Sequence, residues 1–117
     1  MNKRIINTRY IRPLTRALKE AGLRPTEEWL TKYGTLRDYG QEDAEAFCQL
    51  SVPREHESVF LGIIKDKLGL SESDMVDTSD FNGKDYDNFC HGYLEGTPCI
   101  WRDEDSVGVD IPIRSKN

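Results

Sequence analysis

Apolar residues recur at helical spacing in several stretches of the chain, each closed by glycine or proline. In the first stretch they stand three or four positions apart, at Leu14, Ala17, Leu18 and Ala21. Pro13 precedes them and Gly22 follows, as is typical of the first turn and of the end of a helix. The pattern predicts a helix from about Pro13 to Gly22, with Leu23 folding back onto it.

Two further short helices are predicted in the first half of the chain. Thr26 is a favoured N-cap residue, and Glu27 and Glu28 would follow it in the first turn, where the helix dipole favours carboxylates. That helix would end at Gly34, and the next would run from about Gln41 to Leu50. Their apolar residues are Trp29, Leu30 and Tyr33 in one, and Ala44, Phe47 and Cys48 in the other.

Two longer helical patterns follow. The first has one apolar face, formed by Val59, Phe60, Ile63, Ile64 and Leu68. Ser51 and Pro53 mark its start, and Gly69 followed by Leu70 indicates its end. The second runs from about Lys84 to Leu94, with its stripe at Tyr86, Phe89, Cys90, Tyr93 and Leu94.

The stretch from Ile64 to Val76 resembles the helix–turn–helix core of bacterial regulators, with Leu-Gly-Leu-Ser between its two halves. Ser71 and Asp74 form a capping-box pattern that opens the second half. A recognition helix here would present four carboxylates and no Lys or Arg to the DNA phosphates, at Glu72, Asp74, Asp77 and Asp80. Because these would repel DNA, a plain junction between two helices is the favoured interpretation.

The pattern changes to a period of two after Pro98. Apolar residues alternate with small or polar ones over 99–102 and 107–113, and the polar residues 103–106 lie between. This predicts a β-hairpin with one buried face and, because Pro112 cannot donate to a ladder, an edge position for its second strand. A lone hairpin is marginal in water, so Lys3–Ile11 is the candidate third strand. We therefore expect an α+β fold of four to five short helices packed on a C-terminal hairpin.

Composition places this fold in one compact domain, residues 1–117. No apolar run approaches the ~20 residues of a membrane span, and the basic N-terminus lacks the apolar stretch of a signal peptide. The chain has three cysteines, and an odd number without a secretion signal favours reduced thiols. We expect a cytoplasmic protein without disulfides and without a membrane partner.

The net charge of −5 is unevenly distributed. Residues 1–40 carry 9 basic and 4 acidic side chains (+5), residues 41–80 carry 3 and 10 (−7), and residues 81–117 carry 4 and 7 (−3). One interpretation is that the opposite charges neutralise each other in the folded chain and keep it soluble. The other is a bipolar surface whose acidic side binds a basic partner.

Clustered carboxylates lead to the first functional hypothesis, because carboxylates can take the place of phosphates in a basic groove. It describes a non-enzymatic inhibitor or immunity-type module that docks on a basic, nucleic-acid-handling protein, as small phage-encoded inhibitors do. Reversing Asp74, Asp77 and Asp80 to Lys is expected to abolish that binding and to leave thermal stability nearly unchanged. The predicted partner-binding residues are Glu72, Asp74, Asp77, Asp80, Asp85, Asp87, Asp103, Glu104 and Asp105.

The second hypothesis is a nucleic-acid-binding regulator that uses the basic N-terminal third or the Leu68–Val76 segment. In that third, cations alternate with aromatic rings, namely Arg9, Arg12, Arg16, Lys19 and Arg24 with Tyr10, Trp29 and Tyr33. Such a mixture is typical of single-strand binding. The competing interpretation, favoured at this point, places Trp29 in the core and the charges on solvated helix faces.

The third hypothesis is a small Cys/His-dependent enzyme, for which the candidates are Cys48, Cys90, Cys99, His56 and His91. No nucleophile motif supports it. No pair has the Cys-x₂-Cys spacing typical of zinc, and buried apolar cysteine is the commoner state. We therefore expect no metal, no cofactor and no small-molecule ligand.

Overall fold

The computed structural model describes residues 5–31, 34–35, 46–82 and 96–114, in which the chain forms two α-helices and a mixed β-sheet. The helices are α1 (Ile11–Glu20) and α2 (Glu57–Leu68). The strands are β1 (Ile6–Asn7), β2 (Thr26–Thr31), β3 (Gly34–Thr35), β4 (Ala46–Pro53), β5 (Val76–Asp77), β6 (Cys99–Arg102) and β7 (Ser106–Arg114). The α+β class is confirmed, whereas the predicted four to five helices exceed the two found in the described ranges.

The strand order is β3-β2-β4-β7-β6-β5, and β1 pairs with the end of β7. β5 is parallel to β6 and β1 is parallel to β7, while the other neighbours are antiparallel. The predicted hairpin is confirmed as β6–β7, and the N-terminal segment does add to it. That added strand is limited to Ile6 and Asn7, because the chain then turns into α1.

β7 lies in the middle of the sheet and is buried on both faces, so the predicted edge position and single buried face are wrong. Val107, Val109 and Ile111 are buried on one face, and Asp110 on the other is only 1% exposed. Pro112 is tolerated because it stands at the end of the β4 ladder, opposite Phe47, where a missing N–H breaks little of the pairing.

Both helices help to build one apolar cluster with the strands. α1 contributes Ile11, Leu14 and Leu18, and α2 contributes Phe60 and Ile64, all fully buried. The strand residues in the same cluster include Cys48, Leu50, Val52, Val107, Val109 and Ile111. Neither helix of the described ranges is long and apolar enough to cross a membrane.

The predicted helix ends are confirmed at both helices. Leu23 N–H donates to the Leu18 carbonyl at 3.1 Å, and Leu23 is buried after Gly22, whose φ is +79°. Gly69 has φ +70° at the end of α2, and Leu70 returns to the core. The start of α2 was predicted too early, because residues 51–53 complete β4 and a 3₁₀ turn separates them from Glu57.

Two predicted helices are strands. Thr26–Thr31 forms β2, and residues 46–50 of the segment predicted as the third helix begin β4. Thr and Trp are favoured in strands, and six positions of β2 pair with β4, so this tertiary pairing prevails over the capping signal at Thr26. In β4 the alternation of Cys48, Leu50 and Val52 supplies the buried face. Residues 41–45 and the predicted helix from Lys84 to Leu94 lie outside the described residues.

The helix–turn–helix that the resemblance over Ile64–Val76 implies is not formed. The capping box is present, since Asp74 Oδ2 accepts from Ser71 N–H at 2.9 Å. It opens a single 3₁₀ turn, Glu72–Asp74, and the chain then enters β5, so no recognition helix follows. The favoured plain junction is therefore closer to the structure, although it joins a helix to a strand.

The Trp101 ring lies directly over Gly108, its partner on β7. A Cβ at residue 108 would overlap that ring. We expect Gly108→Ala to lower the free energy of unfolding by roughly 1–3 kcal/mol, the usual cost of overpacking. Gly62→Ala in α2 is the matched control: a Cβ there meets no atom within 4 Å, so stability should stay equal or rise by up to about 1 kcal/mol. Urea denaturation compares them, and equal stability of the two variants would contradict the packing constraint.

Candidate functional site

Most of the predicted acidic residues that the structure describes lie at one end of the sheet. β4, β5 and β6 end there, β7 begins there, and α2 starts just beyond β4. We call this the acidic end, with carboxylates Glu55, Glu57, Glu72, Asp77, Asp80, Asp103, Glu104 and Asp105. These eight carboxylates share the acidic end with Arg54 and Arg102, which gives a charge of 2 − 8 = −6 when His56 is neutral.

Arg102 binds three carboxylates from three different segments at this end. Its Nε lies 3.1 Å from Glu57 Oε1, its Nη1 lies 3.3 Å from Asp77 Oδ2, and its Nη2 contacts Glu72 Oε1. The Arg102 side chain is 19% exposed. Hydrogen bonding to Glu72 raises the pKa of Arg102. Hydrogen bonds from the Ser79 hydroxyl and N–H, with the charge of Arg102, lower the pKa of Asp77.

Two other predicted partner-binding residues shape the backbone. Asp74 holds the capping box described above. Asp103 closes the β6–β7 turn, where its Oδ1 accepts from the N–H groups of Asp105 and Ser106 and from the Ser106 hydroxyl, and these bonds lower its pKa. Reversing Asp74 and Asp77 would therefore disrupt structure, which corrects the expectation that their reversal leaves stability unchanged.

The remaining predicted acidic residues differ in status. The side chains of Asp80, Glu104 and Asp105 are exposed and form no ion pair with any residue that the structure describes. Asp85 and Asp87 lie outside the described residues. The carboxylates available to a partner at this end are thus fewer than the sequence indicated.

The thiols in the described ranges are buried. Cys48 and Cys99 are both fully buried and free of disulfides. Burial raises the pKa of Cys48, and the nearby Glu27 and Asp110 carboxylates raise it further, so this thiol is not activated. His56 lies 3.7 Å from Glu55 at the rim. Cys90 and His91 lie outside the described residues, and among the described ones no three His, Cys, Asp or Glu side chains group as metal ligands.

An open cleft of about 1010 Å³ lies between α1 and β2. One wall consists of the 3₁₀ turn before α1 and the outer face of α1, and it carries Arg9, Arg12, Arg16 and Lys19. Spacing of four and three places Arg12, Arg16 and Lys19 on one helix face, over about 10 Å of helix length. The core residues of α1 occupy another face, so this arrangement follows directly from its amphipathic pattern.

The cations of this wall are not neutralised within the described part of the chain. Arg12, Arg16 and Lys19 are exposed, and no described carboxylate pairs with them. Arg9 contacts the neighbouring Tyr10, with its guanidinium carbon 5.0 Å from the ring centroid. Among the described residues that line the cleft, Glu27 is the one acidic residue, so their charge is 4 − 1 = +3.

The opposite wall is formed by Glu27 and Trp29 of β2. Glu27 is held by hydrogen bonds rather than by a cation: Thr15 Oγ1 donates to its Oε1 at 2.5 Å, and Trp29 Nε1 donates to its Oε2 at 2.7 Å. Trp29 is partly buried and packs against the core cluster. These bonds fix the indole ring at the side of the cleft.

The cleft contains residues that sequence reasoning named and residues that it missed. Arg9, Arg12, Arg16, Lys19 and Trp29 were named, but Arg24 is outside the cleft and Tyr33 is outside the described residues. Thr15 and Glu27 were missed. The i, i+4, i+7 spacing of cations on a predicted helix was the available signal, whereas Glu27 was assigned to a helix that does not form.

Comparison of the chain with models of known protein families, with curated proteins and with solved structures finds no match. The functional assignment therefore depends on the chemistry of the acidic end and of the cleft.

Arg102→Gln is expected to lower the free energy of unfolding at pH 7 by roughly 1–2 kcal/mol, since an exposed ion pair contributes up to about 1 kcal/mol. Glu72 and Asp77 would lose their cation, whereas Glu57 would keep Arg54, whose Nε lies 2.9 Å from its Oε1. The loss should shrink as the pH falls from 7 to about 3, where protonation removes the carboxylate charges. In the wild type, Asp77 has a lowered folded pKa, so its contribution is present above the unfolded pKa and is lost as the pH falls through the folded value.

Chemical denaturation at pH 7, 5 and 3 measures this difference. Arg24→Gln is the control, since Arg24 is exposed and has no carboxylate partner among the described residues. A stability difference between Arg102→Gln and wild type that stays constant with pH would show that Arg102 acts by packing alone.

Proposed function

We propose that this protein is a non-enzymatic nucleic-acid-binding module whose cleft between α1 and β2 holds the phosphate backbone. The observation that carries the proposal is a row of cations along an open cleft, Arg9, Arg12, Arg16 and Lys19, none of which pairs with a carboxylate that the structure describes. Cations in a folded protein commonly pair with nearby carboxylates, yet here most of the described carboxylates lie at the acidic end instead. Unpaired guanidinium groups suit phosphate, which they bind with charge-assisted hydrogen bonds.

The length of the cationic row indicates a ligand with several phosphates in a chain, not a single phosphate. Three cations extend over about 10 Å of α1, and Arg9 prolongs the row into the preceding turn. A lone phosphate is bound by convergent donors, such as a glycine-rich loop at a helix N-terminus. Side chains that project in a line along a helix instead match a ligand with repeated negative charge.

The negative net charge of the chain is compatible with this proposal because the charges are separated. The cleft is on the β2 side of the sheet, whereas the Arg102 carboxylates lie at β5 and β6, with β4 and β7 between. Such a separation produces a molecular dipole. A polyanion is attracted to the cleft and repelled from the acidic end, so the dipole orients the molecule as it approaches.

Arg12→Gln/Arg16→Gln is expected to weaken binding of a labelled single-stranded 12-mer oligonucleotide roughly tenfold or more, because two phosphate contacts are lost. The slope of log K against log salt should fall in magnitude by about 1.4, since each single-strand phosphate contact contributes about 0.7. Fluorescence anisotropy over a salt series measures both quantities.

The matched control is Lys65→Gln/Lys67→Gln, which makes the same charge change on exposed positions of α2 outside the cleft. Equal losses in the two double variants would reduce the effect to net charge and contradict a site in the cleft. Absence of salt-sensitive binding in the wild type would contradict the proposed function itself.

The second candidate function is the inhibitor hypothesis, in which the acidic end docks on a basic protein. The observation that favours it is the gathering of eight carboxylates against two arginines at one end of the sheet. Arg102 neutralises part of this charge, and Asp103 accepts hydrogen bonds from the backbone of the β6–β7 turn. The hypothesis therefore depends on Asp80, Glu104 and Asp105, which have no such role in the described structure.

Asp80→Lys/Glu104→Lys/Asp105→Lys is expected to reduce binding of poly-L-lysine more than the control Glu20→Lys/Glu28→Lys/Asp66→Lys, which makes the same net change at dispersed exposed positions. The reason is that clustered carboxylates act together on one basic ligand. Anisotropy of labelled poly-L-lysine at fixed salt compares the variants. An equal reduction in both would remove the acidic end as a docking surface.

A further inference from the structure

We infer that the ligand of the cleft is a single strand of nucleic acid that stacks a base on Trp29. This inference depends on the proposed function and specifies which kind of nucleic acid the cleft binds. The two walls of the cleft differ in chemistry. The α1 wall carries the cations, and the β2 wall carries the Glu27 carboxylate beside the Trp29 ring. A nucleic-acid strand likewise has one charged side, its backbone, and one flat aromatic side, its bases.

Glu27 determines the orientation of the strand. Its carboxylate is hydrogen-bonded by Thr15 and Trp29 and is not neutralised by any cation that the structure describes, so its negative charge remains in the cleft. That charge repels phosphates from the β2 wall and directs them to α1. The bases then face Glu27 and Trp29, where carboxylate oxygens can accept hydrogen bonds from exocyclic amino groups of bases.

Trp29 is prepared for stacking before a ligand arrives. The Nε1–H bond to Glu27 and the packing against the core hold the indole in place, so little side-chain freedom is lost on binding. Stacking on a fixed ring is the common means of holding unpaired bases, because every base has an aromatic face. A duplex keeps its bases paired and stacked within the helix, and so it cannot supply an unpaired base to Trp29.

The test compares three probes, a single-stranded DNA 12-mer, its duplex and inorganic polyphosphate, against wild type, Trp29→Phe and Trp29→Leu. We expect the wild type to prefer the single strand to the duplex. We expect Trp29→Leu to weaken single-strand binding roughly five- to hundredfold and Trp29→Phe to weaken it less, since Phe keeps an aromatic face. Polyphosphate, which has no bases, should bind all three proteins equally, and this also verifies that the variants are folded.

Tryptophan fluorescence provides an independent measurement. The single strand should quench wild-type emission and leave the emission of Trp29→Phe, which retains Trp101, unchanged. Equal loss of polyphosphate and single-strand binding in Trp29→Leu would overturn the inference and leave the proposed function intact, and so would a duplex that binds as tightly as the single strand. Failure of every polyanion to bind the wild type would overturn both.

Discussion

The pairing of β4 with β7 is the interaction on which the rest of the structure depends. It extends over seven positions, from Phe47–Pro112 to Pro53–Ser106. β2 attaches to the outer side of β4, and β6 and β1 attach to β7, so both halves of the sheet meet at this one ladder. A shift of this pairing by one residue would turn Val107, Val109 and Ile111 from their buried face to the opposite face of β7. The neighbouring strands and helices could then no longer pack as they do.

Both candidate binding surfaces follow from this topology. The ladder brings the ends of β4 and β6 together with the start of β7, and most of the carboxylates that the structure describes lie at those ends. The same ladder places β2 beneath α1, so that the polar side of an amphipathic helix faces a strand with a tryptophan. Within the described residues, the separation of the cationic cleft from the acidic end therefore results from strand order.

Features that depend on neighbouring residues were predicted correctly from the sequence, whereas features that depend on pairing between distant residues were predicted poorly. The stops at Gly22 and Gly69, the cap at Ser71 and a polar hairpin turn each depend on a few neighbouring residues, and all four are present. The turn, predicted at residues 103–106, is one residue shorter because Ser106 begins β7. β2 and β4 were predicted as helices because their pairing partners are distant in the chain and leave no local trace. The single buried face predicted for the hairpin was wrong as well, because Ile100 pairs with Val109 on one face and Cys99 pairs with Asp110 on the other, and all four residues are buried.

The site could be predicted only in part for the same reason. The cations of α1 were recognisable because they lie on a correctly predicted helix, but their second wall comes from β2. Thr15 and Glu27 meet across 12 positions of sequence, which no periodicity reveals. At the acidic end, Arg102 pairs with three carboxylates, two of which, Glu72 and Asp77, the sequence had indicated as free to bind a partner. These pairs could not be predicted because the partners lie 25, 30 and 45 positions away in the chain.

The sequence separations of the Arg102 partners have a further consequence. Glu57, Glu72, Asp77 and Arg102 are scattered along an extended chain, and their joint arrangement exists only after the helix, the turn and both strands have assembled. An antibody or receptor raised against this constellation would consequently distinguish native molecules from misfolded ones. The arrangement therefore reports on folding, because its ion pairs form only where these four segments have come together.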